Sequence, residues 1–197
     1  MSMNVLPILL AVAMAAPQSA TYVSAQTRVA LLPTVNTSSE KWQELKDQQC
    51  QRGDGTLRTL FEAYGFDVLS AAAVKTYLDK ESIDLTDEEN WNRRTLAEIG
   101  KGLGVRLIAF APVIDTLQKK DEKLFVTSQV GIAKLRVWLL DTETGTAHLT
   151  GKPLEGKSQN DFGGKGSDRQ IRAVDLALEA ALKEFFKPYK KVKTAAR

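Results

Sequence analysis

The residues of this chain whose types suggest chemistry are two glycine-rich runs, one histidine, one cysteine and an Arg-Gly-Asp tripeptide. Gly100-Lys-Gly-Leu-Gly104 has the composition of a phosphate loop. A phosphate loop, however, follows a strand and opens a helix, so that helix N–H groups face the anion. This run closes a helical pattern and opens an apolar one, so it reads as a helix C-terminal turn. Gly163-Gly-Lys-Gly-Ser167 does precede a helix, with Ser167 or Asp168 as the expected N-cap, and Lys165 beside it offers a positive charge. It lacks the Gly-Lys-Ser/Thr ending of a nucleotide loop and reads first as a flexible connection.

His148 is the only histidine. With no nucleophile motif near it, it is expected to be an ordinary surface residue of a strand. Cys50 is the only cysteine, which excludes an internal disulfide, a Cys-x-x-Cys centre and a multi-Cys zinc site. It is expected to be partly buried, with an intermolecular disulfide as the other possibility. Arg52-Gly-Asp54 and the following Gly55 read as a helix-breaking turn. The segment Asp79 to Glu89 holds six carboxylates but lacks the spacing of a calcium loop, so it reads as a solvated arm. No catalytic residue, metal site or cofactor is assigned.

The 197 residues carry 27 Lys and Arg against 24 Asp and Glu, a net charge of +3, which selects no specific nucleic acid as partner. None of those charges falls in residues 1–25. The run from Val5 to Ala16 is too short to span a bilayer but fits a signal-peptide core, and Val23, Ser24 and Ala25 supply small residues for cleavage. Residues 1–25 are therefore read as a signal peptide, with a mature chain that starts at Gln26, has no transmembrane segment and resides in the periplasm or outside the cell. The last residues, 188–197, form a basic tail. Lys187, Lys190, Lys191 and Lys193, with Lys165 and Ser167, are the candidate contacts for an anion or a partner.

These residues have to be positioned by alternating strands and helices. Arg28 to Pro33 reads as a buried first strand. A polar helix from Ser39 to about Gln49 is expected to break at Gly53–Gly55 and resume through Leu57, Leu60, Phe61 and Tyr64, ending at Gly65. Phe66 to Leu69 is a second strand and Ala71 to Leu78 a short helix. Thr86 and Glu89 suggest a capping box. Leu96, Ile99 and Leu103 mark another helix, and Val105 to Val113 a strand. A Lys/Asp-rich turn at Lys119–Lys123 leads to a long strand, Leu124 to Leu140. Asp141 to Gly145 has hairpin-turn chemistry, and a return strand runs from Thr146 to about Ser158. Ile171, Val174, Leu178, Leu182 and Phe185 recur at helical steps between Asp168 and Phe186. The expected fold is an α/β domain of the α+β type, a single domain spanning 26–187, with a mixed sheet, helices packed on it and an antiparallel hairpin in the second half.

Four segments in order resemble the soluble domain of the curli-secretion (CsgG-like) lipoproteins, which is related to the amino-terminal domain of the TolB propeller protein and to periplasmic lipoprotein activators of cell-wall synthases. They are Val29 to Ser38, Tyr64 to Leu69, Leu96 to Phe110, and Arg136 to Gly145 with its Asp-Thr-x-Thr-Gly hairpin. A lipobox cysteine is absent. Leu117 to Gln129 reads as a connection rather than as two membrane-crossing strands, which need about ten alternating residues each. The resemblance thus implies a non-catalytic envelope protein that binds an envelope protein partner or forms a homo-oligomer, without a pore. The alternative is an extracytoplasmic module for a polyanion or nucleotide, using the basic tail and the Gly163–Ser167 loop.

Overall fold

The computed structural model describes residues 22–123, 126–159 and 166–192. Within them lie six strands and four α-helices, in the order β1 (Arg28–Leu31), α1 (Gln43–Ala63), β2 (Asp67–Val68), α2 (Ala71–Lys80), α3 (Arg93–Gly102), β3 (Leu107–Phe110), β4 (Val113–Lys123), β5 (Val126–Asp141), β6 (Ala147–Gln159) and α4 (Gly166–Phe186). The expected mixed α/β domain is what forms.

β1 lies between β2 and β3 and is parallel to both. β5 is the spine of the second half. Along one side it pairs antiparallel with β3 and then with β4, which lie end to end, and along the other with β6. Alternate residues of the parallel strands serve two cores. Val29, Leu107 and Ala109 face α1 and α4, whereas Ala30, Leu32, Ile108 and Phe110 face α2 and α3. The β1-to-β2 and β2-to-β3 crossovers therefore run over opposite faces of the sheet.

α4 covers the β5–β6 ribbon at very short range. A Cβ on Gly156 would stand 2.0 Å from the Ala173 carbonyl oxygen, and one on Gly131 would stand 2.4 Å from the Arg169 carbonyl carbon. Only glycine admits the helix backbone this closely. Val174, Leu178 and Leu182 are fully buried there, each contributing about 1.5–3 kcal/mol of transfer free energy. On the other face of this ribbon the ion pairs Lys134–Asp115, Lys157–Glu155 and Arg136–Glu88 lie among partly exposed side chains.

Several elements depart from the sequence reading. α1 is one helix, and Gly53–Gly55 does not interrupt it. Gly53 is buried, and a Cβ there would meet the Thr34 hydroxyl at 2.8 Å, so tertiary approach accounts for this glycine. Arg52 is held by Asp175 of α4 at 2.6 Å, and the Thr34 amide donates to Asp54 at 2.7 Å. The tripeptide is thus part of a helix and not a loop. The Lys/Asp-rich segment is no turn, since β4 continues to Lys123 and pairs residue by residue with β5. Cross-strand hydrogen bonding extends it where local composition opposes a strand. The Thr86–Glu89 capping box does not form. Thr86 donates to Asp84, and α3 is capped by Asn92, which accepts from the Thr95 amide. Ser167 and Asp168 lie within the first turn of α4 rather than capping it. Gly65 and Gly145 do adopt the positive φ expected of them, at 79° and 67°.

Candidate functional site

At the amino end of the parallel strands four residues distant in sequence meet. Asp141 ends β5, Arg106 precedes β3, His148 follows the hairpin turn and Tyr22 precedes β1. The Tyr22 hydroxyl donates to Asp141 Oδ2 at 2.9 Å and lies 2.6 Å from His148 Nε2. Asp141 also accepts from Arg106 Nε at 3.0 Å and from the Glu143 and Thr144 amides at 2.9 Å each. His148 is accordingly no ordinary surface residue. It is half-buried and packs edge-on to Tyr22.

The electrostatics of this cluster describe a latch rather than a nucleophile. Burial pushes the Asp141 carboxyl upward, but the Thr144 amide, the Tyr22 hydroxyl and Arg106 outweigh it and hold it below the ordinary carboxylate range. Burial and then Asp141 raise the Tyr22 hydroxyl, the opposite of what activates a phenol for attack. Burial lowers His148, with Asp141 opposing. The cluster fastens the segment before β1 to the hairpin turn. In the sequence only His148, by its residue type, and Asp141, through its turn motif, stand out, and nothing there joins them to Tyr22 or Arg106.

A second feature is open to solvent. Beyond the bridge between Asn36 and Val113, the only strand that β4 pairs with among the described residues is β5. Its outer edge borders a groove of about 630 Å³ between the amino ends of α1 and α4. Trp42 stands at this groove 75% exposed, the most exposed large apolar side chain among the described residues. Glu40 accepts from the Lys41 and Trp42 amides, and the Trp42 carbonyl accepts from Leu45 and Lys46 as α1 begins, so the exposed ring rises from a fixed backbone. Glu44 and Asp168 add negative charge, while Leu117 and Thr116 form the strand wall. A strand edge with no second strand partner among the described residues, beside an exposed aromatic ring, is suited to receiving an extended segment of another chain.

The expected contact residues do not converge. Ser167 lies at the amino end of α4 and Lys187 just past its carboxyl end, about 30 Å apart for a helix of this length. Lys165 and Lys193 lie outside the described residues. Lys187 pairs with Glu184 at 3.5 Å, Lys191 sits 5.8 Å over the Tyr64 ring, and Lys190 is exposed. Cys50 is half-buried on α1, and burial and the nearby Asp54 push its thiol up to about 11. Among the described residues no group of His, Cys, Asp and Glu is placed to hold a metal, and no helix is long and apolar enough to cross a membrane.

No family model matches the chain, and no curated protein is significantly similar to it in sequence. Solved structures do resemble it. The lipoprotein GNA1162 from Neisseria meningitidis superposes over 81% of this chain and 97% of its own, at 11% identity and a TM-score of 0.51. The LpoB C-terminal domain from Salmonella enterica covers 70% of this chain and 86% of its own, at 13% identity and a TM-score of 0.45. The likeness is one of fold. What this chain shares with GNA1162 is the arrangement of its strands and helices.

Proposed function

We propose that this protein is an exported component of a bacterial cell envelope that docks a protein partner, or a second copy of itself, along the outer edge of β4, and that it catalyses no reaction. The observation that carries this reading is the β4 edge, which has no second strand partner among the described residues, beside the exposed Trp42. Edge strands are ordinarily blunted by charge, proline or a covering element. Here charge is concentrated at the far end, Lys119 to Lys123, whereas Thr116 and Leu117 beside Trp42 carry none. The segmental resemblance to the CsgG-like lipoproteins and the lipoprotein fold both support an accessory or assembly role at the envelope. We further propose that the exported chain begins at or before Tyr22 and not at Gln26, a reading supported by the packing of Tyr22 in the core.

Sedimentation velocity on the purified full chain and on Trp42→Ser tests the proposal, alone and with the envelope protein that co-purifies at high salt. The proposal requires a complex or oligomer that Trp42→Ser weakens at least tenfold. A lone monomer that retains nothing, or an assembly indifferent to Trp42, would overturn it.

A further inference from the structure

The mid-helix Gly53-Asp-Gly55 motif has two glycines of different standing. Gly53 is required by the approach of Thr34. Gly55 is not, because a Cβ there would meet nothing within 4 Å. A glycine inside a helix costs about 0.8–1.0 kcal/mol relative to alanine, and no packing contact of the fold explains this one.

Gly55 lines a crevice of about 500 Å³. The crevice opens at the carboxyl ends of β1 and β2, between α1 on one face of the sheet and α2 on the other. Since the connections leaving these two parallel strands go to opposite faces, the helices splay apart there, and ligands of open α/β sheets bind at such points. Its volume falls in the range of small-molecule sites, about 300–1,000 Å³. Leu31, Pro33, Val74, Leu78, Ile83 and Leu85 make its walls apolar.

The charges around the crevice are unequal in their commitments. Both bases are paired. Arg58 bonds Glu62 at 3.2 Å and the Leu69 carbonyl at 3.3 Å, and Lys75 bonds Asp79 at 2.9 Å. Asp54 and Asp84 have no ion-pair partner among the described residues. Asp84 accepts twice from Thr86 through Oδ1, whereas Asp54 accepts the Thr34 amide through Oδ1.

We infer that this crevice is a binding site for a small organic cation, an apolar body carrying one ammonium group, with the body between α1 and α2 and the ammonium beside Asp54. Gly55 keeps the entrance bare, and a side chain there would fill the space the ligand takes. The site is separate from the β4 edge, which lies at the amino end of α1.

Octylamine, octanol and octanoate are the probes, titrated calorimetrically into the full chain, Gly55→Leu and Asp54→Asn. Asparagine retains an acceptor for the Thr34 amide, and Gly55→Ala serves as a folding reference that should unfold no earlier than the parent. Octylamine is expected to bind saturably, at least tenfold more tightly than octanoate. Gly55→Leu should abolish its binding, and Asp54→Asn should reduce octylamine to the affinity of octanol. Equal affinity for octylamine and octanoate, or undiminished binding to a folded Gly55→Leu, would overturn the inference.

Discussion

Replacing Tyr22 by phenylalanine removes a single oxygen from the core and tests whether the Tyr22–Asp141–His148 cluster is a latch. The lost hydroxyl is 2.9 Å from a fully buried carboxylate and 2.6 Å from His148. A hydrogen bond to a charged group contributes about 1.5–3 kcal/mol. Asp141 keeps Arg106 and two backbone amides, so it is not orphaned and the cost should stay within that range. With urea slopes of about 1–3 kcal/mol per molar for small domains, the midpoint should fall by roughly 1 M. The sign of the pH dependence follows from Asp141, whose folded-state carboxyl titrates below the ordinary range. Such a group stabilises fully above its unfolded pKa, about 3.9, and the contribution is lost as pH falls through the lower folded value. The gap between parent and Tyr22→Phe should therefore persist from pH 7 to about pH 4 and narrow below it. His148, lowered by burial, gives both proteins a separate decline as pH falls through about 6.5. Urea unfolding followed by circular dichroism across this range is the assay. A gap below about 0.5 kcal/mol at pH 7, or one that widens in acid, would refute the latch.

Three further outcomes are expected. Gly156→Ala should destabilise the domain by about 1–3 kcal/mol or more, because its methyl would press on the Ala173 and Ala177 backbone; thermal unfolding reads this directly. Cys50, with its thiol pushed up to about 11, should react slowly with alkylating reagents at pH 8 and accelerate steadily towards pH 11, and air should produce no disulfide-linked dimer on a reducing/non-reducing gel. A chain begun at Gln26 should be less stable than one begun at Tyr22 by at least about 3 kcal/mol, from the buried ring and its hydroxyl together, and mass spectrometry of the exported protein should find an N-terminus at or before Tyr22.

What could be read from the chain was local. The apolar run closed by Pro33, the stripe of α4 and the Asp141–Gly145 turn each encode their own conformation, and each forms. The misread segments depend on distant partners. Gly53 breaks an isolated helix but is needed where Thr34 approaches, so α1 stays whole. Lys119 to Lys123 lack strand character alone and gain it from β5. The latch joins positions 22, 106, 141 and 148, and only the fold brings them together. Trp42 carries no motif at all, and its exposure gains meaning from its place beside a strand that pairs only with β5 among the described residues.

Photo-cross-linking in living cells tests most directly whether the β4 edge is a docking surface. A photoreactive residue placed at Trp42 or Leu117 should yield a discrete higher-mass adduct, while one at the exposed Lys101 on α3, away from the groove, should yield none. No adduct from the β4 edge, or the same adducts from Lys101, would contradict it.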